Sequence, residues 1–154
     1  MDRPINFHQI TETIGTAGQP TADHLREIAR QGYSTVVNLA MHNSDNAIPH
    51  EGNLVSALGM SYIHIPVPFD KPEAGHLQKF IRVMDALEGE KIFVHCALNA
   101  RVSVFIYKYL TLRKGYDDSS ATTPLLKRWL PQMEDAWKSV MALRSSPSGT
   151  LTPL

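Results

Sequence analysis

Lys91-Ile92-Phe93-Val94-His95-Cys96-Ala97-Leu98-Asn99-Ala100-Arg101, continued by Val102-Ser103-Val104-Phe105-Ile106-Tyr107-Lys108-Tyr109-Leu110, is the stretch that decides the fold. Its first five residues form a short, largely apolar run, which suits a central strand buried on both faces of a parallel sheet. The run from Val102 to Leu110 is apolar on nearly every side, as in a helix lodged in the middle of a domain. A buried strand that leads through a short loop into a buried helix is one step of an α/β chain.

Upstream the same alternation recurs. Pro20-Thr21-Ala22-Asp23 opens an amphipathic stretch with Leu25, Ile28 and Ala29 on one face, and Gly32 ends it. Tyr33 to Leu39 follows as a strand, its β-branched Thr35, Val36 and Val37 suited to a pleated, buried position. Pro49 to Leu58 predicts a second helix, closed by Gly59, before the alternating Tyr62-Ile63-His64-Ile65 strand that stops at Pro66 and Pro68. Pro72 stands where a first-turn proline is tolerated, and Leu77, Phe80, Ile81, Met84 and Leu87 keep helical spacing up to Gly89. Downstream, a last helix from Pro124 carries Leu125, Trp129, Met133 and Trp137, with Pro131 placed to kink or split it. These elements predict one α/β domain over residues 1–144, built on a four- or five-stranded, mainly parallel sheet flanked by helices, and a disordered tail over 145–154.

Composition narrows the function classes. With 154 residues, 43% of them hydrophobic and 19% charged, the chain is long enough to bury a core. Lys+Arg and Asp+Glu number 15 each, so the zero net charge supplies no field to hold nucleic acid, and any anion must be caught locally. No apolar run reaches the roughly 18 residues of a membrane span. The start, MDRPINFHQITET, lacks a basic stretch followed by an apolar one, so the cytoplasm is the default compartment, although a chain trimmed of its leader would look the same. None of the histidines shows metal-ligand spacing, so no metal is assigned.

Cys96 is the single cysteine. Free cysteine is more often a small core residue than a nucleophile. Here it stands at a strand-to-helix junction, where open α/β sheets bind their ligands, beside the free N–H groups and positive dipole end of the following helix. Arg101, at the far end of the loop, has the fork geometry to grip two oxygens of a phosphate-like anion.

These residues resemble the cysteine-dependent protein tyrosine and dual-specificity phosphatases. The likeness is strongest to the small bacterial group related to the phosphatase-like domain of beta-lactamase-hydrolase-like proteins. It runs from about Thr16 to Tyr109 and is carried by Thr16-Ala17-Gly18-Gln19-Pro20, by Gly32 to Leu39, by Ile65-Pro66-Val67-Pro68, and by Val94-His95-Cys96 with Arg101 and Ser103. The resemblance implies a three-layer phosphatase-type fold and a metal-independent phosphatase without a cofactor. It further implies a Cys96 thiolate that attacks phosphorus, Arg101 binding the phosphoryl oxygens, and a cysteinyl-phosphate intermediate hydrolysed by water. The phosphate loop would comprise His95, Ala97, Leu98, Asn99, Ala100 and Ser103 around these groups, with His95 orienting it. The leaving oxygen needs an acid, which the family carries on a loop before the cysteine. Asp70, 26 residues upstream of Cys96, fits that place, with Glu73 in reserve. The residue-level alternative for Asp70 is a helix cap, and for His95 a satisfied histidine at a strand end. The implied partner is a phosphorylated small molecule or phosphoprotein; oligomeric state is open.

One departure bears on all of this. The family's usual loop places five residues, glycine among them, between Cys and Arg; here there are four and no glycine. Asn99 can supply either a side-chain amide or the left-handed backbone that Asn tolerates. Val102 holds the place of the family's Ser or Thr after Arg, while Ser103, counted from the cysteine, falls where that hydroxyl belongs. The four-residue spacing also resembles single-domain rhodaneses, which move sulfur through a cysteine persulfide. A weakly active or inactive anion-binding module is the remaining alternative.

Overall fold

The structure, a computed structural model, describes residues 2–146 and 149–153. The strands are β1 (His8–Gln9), β2 (Ile14–Ala17), β3 (Thr35–Asn38), β4 (Ser61–His64) and β5 (Ile92–His95), joined in one sheet of order β1-β2-β5-β3-β4. Only β1 runs antiparallel; β2, β5, β3 and β4 are parallel neighbours. The expected mainly parallel sheet is thus five-stranded, and β5 lies at its centre.

Helices α1 (Ala22–Arg30) and α2 (Glu51–Ala57) cover one face of the sheet, packing Leu25, Ile28 and Val55 against Val36 and Phe93. The other face receives α3 (Ala74–Ala86), α4 (Ala100–Arg113), α5 (Asp118–Ala121), α6 (Pro124–Trp129) and α7 (Asp135–Met141). Val37 and Val94 meet Leu77, Phe80, Phe105 and Trp137 there. The strict alternation of Phe93 and Val94 between the two cores is the two-residue period of a strand buried on both faces. This is the three-layer fold.

Several local readings shift. The helix expected from Val102 starts at Ala100, because Asn99 turns the chain and lets the first two residues join. Pro72 lies ahead of α3, whose N-cap is Glu73. Pro131 splits the last helix, placing a 3₁₀ turn at Leu130–Gln132 between α6 and α7. In the tail expected to be disordered, β6 (Arg144–Ser145) pairs antiparallel with β7 (Leu151–Thr152), and Leu151 packs on the core; Pro147, Ser148 and Leu154 lie outside the described residues. No helix among the described residues is long and apolar enough to cross a membrane.

Candidate active site

The final residues of the four parallel strands form one row. Ala17 pairs with His95, His95 with Asn38, and Asn38 with His64, so the loops that follow share one edge of the sheet. Cys96 leaves the centre of that row. Its N–H donates to Ala17 O at 3.3 Å, and its side chain is 0% exposed, within the core beneath α4.

The loop is held by its carbonyls. Ala97 O accepts from Gln19 N–H and Asn46 Nδ2, both at 3.0 Å, and Leu98 O accepts from Asn6 Nδ2 at 2.9 Å. Gly18 runs so close beneath that a Cβ there would stand 2.5 Å from Ala97 O. Asn99 then takes φ 73° and ψ 9°, the left-handed region that favours glycine, and α4 begins behind it. Its amide Nδ2 donates to Asn6 O at 2.8 Å and Thr16 Oγ1 at 3.2 Å. Asn99 thus takes the left-handed backbone, and its amide anchors the loop from behind. The Ser103 hydroxyl bonds Asn99 Oδ1 at 3.3 Å and Thr123 Oγ1 at 2.6 Å, so it supports the loop through Asn99. The first-turn N–H groups of Ala100, Arg101 and Val102 have no acceptor within a helix of 14 residues, and its dipole places partial positive charge there.

Arg101 sits in that first turn, 7% exposed. Its Nη1 donates to Val67 O at 2.9 Å, its guanidinium lies 5.9 Å from the Phe69 ring centre, and its buried Nε has no partner among the described residues. Asp70 is the next residue along this loop, exposed at a turn in which Lys71 N–H reaches Pro68 O at 3.3 Å. The loop is tied from below: Trp137 Nε1 donates to Phe69 O at 2.8 Å, and its ring meets Phe69 at 5.5 Å and Phe105 at 6.1 Å. Capping of α3 falls to Glu73, whose N–H donates to His76 Nδ1 at 3.0 Å, not to Asp70.

On the opposite face of the sheet, His95 Nδ1 lies 3.1 Å from Cys96 O and Nε2 lies 2.6 Å from Glu51 Oε2. Gln19 Nε2 donates to Glu51 Oε1 at 2.8 Å. All three side chains are buried. Burial pushes the Glu51 carboxyl up, but the hydrogen bond and charge of His95, with the Gln19 amide, outweigh it and hold the group below its ordinary value. Glu51 and Asn46 are residues that sequence reasoning missed, and Gln19 enters it only as part of the stretch that carries the resemblance. Their only signal was place: each lies in a segment following a strand of the same sheet edge.

The structure therefore brings Cys96, Arg101, Asn99, Ser103 and His95 onto one β5–α4 junction and sets the Asp70 loop against Arg101. Residues 8–126 match the family described as DSP-PTPase phosphatase fused to NAD+ kinase. The beta-lactamase hydrolase-like protein of Xylella fastidiosa (strain Temecula1) is 28% identical over 95 residues, 60% of this chain but 22% of its own length, so the chain spans about a fifth of that relative. A DUF442 protein of Shewanella putrefaciens CN-32, a candidate phosphatase, superposes with a TM-score of 0.81 at 28% identity, over 90% of this chain and 89% of the other. The active form of Tk-PTP gives 0.70 at 22% identity, over 88% and 93% of the two chains, a likeness of fold.

Proposed function

Because the chain belongs to the family of DSP-PTPase phosphatases described as fused to NAD+ kinase, we propose that it hydrolyses a phosphate monoester, on a small molecule or a phosphoprotein, through Cys96. The thiolate attacks phosphorus while the bond to the leaving oxygen breaks, and Asp70 gives its proton to that oxygen, so that an alcohol or phenol departs. Water then attacks the cysteinyl-phosphate and gives a proton to Asp70. The S–P bond breaks, the thiolate returns and inorganic phosphate leaves. Arg101 holds two phosphoryl oxygens with its fork, and the first-turn N–H groups of α4 face the third. No metal enters these steps.

The observation that carries this reading is the Arg101 guanidinium. Its buried Nε is unpartnered beside the nucleophile's loop, and its other end rests on the loop that bears Asp70. A buried donor without a partner is costly, and an anion is what would satisfy it. The test is p-nitrophenyl phosphate hydrolysis against pH, with chelator present, in the wild type, Cys96→Ser, Arg101→Lys and Asp70→Asn. Cys96→Ser abolishes turnover, Arg101→Lys raises KM and lowers kcat, and Asp70→Asn lowers kcat by about a hundredfold and removes the basic limb of the profile. Turnover that survives in Cys96→Ser overturns the mechanism, and a full basic limb in Asp70→Asn removes Asp70 from the acid's role.

A further inference from the structure

Glu51 is a buried ionisable group that the reaction above leaves without a task. Resting on that reading of Cys96 as nucleophile, we propose that Glu51 is a positioning residue: by its hydrogen bond it holds His95 as an imidazolium whose Nδ1–H is fixed on the Cys96 carbonyl. The hydrogen-bond inventory leads there. A backbone carbonyl only accepts, so the ring nitrogen 3.1 Å from Cys96 O carries hydrogen. That leaves Nε2 facing Glu51 Oε2 across a short hydrogen bond of 2.6 Å. The other carboxyl oxygen is already an acceptor, taking the Gln19 amide at 2.8 Å. With Glu51 ionised, acceptors face both ends of the ring, so both nitrogens carry hydrogen and the pair is carboxylate and imidazolium. Glu51 lying below its ordinary value agrees with that distribution.

The consequence reaches the reacting atom through one peptide unit. The ring is locked between strand edge and α2, so it fixes the Cys96 carbonyl and with it the point where the loop leaves β5. The pair is neutral overall, but its positive end rests on the Cys96 peptide and its negative end points away, an orientation that favours the anionic nucleophile that the reaction needs. The other titratable groups around the pair come from neighbouring elements. On β4, Tyr62, raised by burial, bonds Asn38 at 2.9 Å, and His64 Nε2 lies 2.6 Å from Ala40 O. His50 precedes Glu51 at the start of α2, and Cys96 stands beyond the carbonyl. None of these makes a hydrogen bond to the Glu51 carboxylate.

Glu51→Gln separates positioning from mere packing. The amide keeps the size of the carboxyl, accepts from Gln19 through its oxygen and donates to His95 Nε2, so the hydrogen bonds survive with a neutral ring. Imidazole nitrogen NMR at neutral pH, with the His95 signals identified by their loss in His95→Gln, reads both nitrogens protonated in the wild type and only Nδ1 in Glu51→Gln. In parallel, the acidic limb of kcat/KM for p-nitrophenyl phosphate moves upward by about one pH unit or more. An unprotonated Nε2 in the wild type overturns the proposal and needs no variant to fold. So does an acidic limb that stays in place in a folded Glu51→Gln. The NMR reading does not depend on turnover, so an inactive wild type with a doubly protonated His95 would sink the phosphatase mechanism and leave the pair standing.

Discussion

Asn99 shows how a single side chain does two jobs that a glycine would do by halves. Its left-handed backbone, φ 73°, turns the chain into α4, and its amide pins the loop to Asn6 and Thr16. Substitutions separate the jobs. Asn99→Gly keeps the backbone and loses the anchors, at about 1–3 kcal/mol in denaturant unfolding. Asn99→Ala loses the anchors and adds left-handed strain of about 1 kcal/mol. The expected order in both unfolding midpoint and p-nitrophenyl phosphate turnover is therefore wild type, then Gly, then Ala. An Ala variant equal to or better than Gly would mean that the backbone conformation is not what the position requires.

At the scale of elements, the site is a matter of close approach between the end of β2 and the start of α4. Gly18 passes beneath the loop, where a Cβ would meet Ala97 O and Ile5 Cγ2 at 2.5 Å and Leu98 Cα at 3.0 Å. Two of these are backbone-bound atoms that cannot swing aside. Gly18→Ala is expected to cost about 1–3 kcal/mol by overpacking and to depress turnover further than its stability loss alone explains, because the displaced segment is the loop after Cys96. Gly75, in the first turn of α3, faces open space, so Gly75→Ala gains up to about 1 kcal/mol and leaves turnover unchanged. Thermal melts with activity assays on both variants check the contrast. The Phe105–Trp137–Phe69 contacts act at the same scale, carrying the firmness of the α4–α7 packing out to the loop with Asp70.

For the molecule as a whole, the buried Glu51–His95 pair links the site to stability. Glu51 ionises more readily in the folded chain than at its ordinary value of 4.5. As pH falls, the unfolded chain therefore takes up this proton first. The stabilisation is fully present above about pH 4.5 and is lost as pH drops through the folded-state value. Urea midpoints measured downward from neutral pH should fall less steeply in Glu51→Gln than in the wild type over that acid range. Equal slopes would show that other carboxyls govern acid unfolding.

How much of this was legible follows from the range of each interaction. The order of helices and strands between Ala22 and Arg113 was readable because periodicity, β-branching and glycine stops act over a few neighbouring residues. The lone thiol and Arg101 were readable for the same reason, since both lie on one strand–loop–helix segment. The short β2, Ile14-Gly15-Thr16-Ala17, was not: it is only four residues long with a glycine and an alanine among them, and it is a strand because β5 pairs along its whole length. The hairpin of β6 and β7 likewise depends on a partner strand and on Leu151 meeting the core.

By itself, then, the sequence determined an α/β chain with its one cysteine at the central junction, since those features are local. Only the tertiary structure decided what surrounds Cys96. It gave Asn99 both a left-handed backbone and an amide that anchors the loop, set the Asp70 loop on Arg101, and brought Glu51 from 44 residues away onto His95. Such contacts exist only after sheet pairing has aligned the strand ends, and no local pattern of residues records which side chains will then face each other.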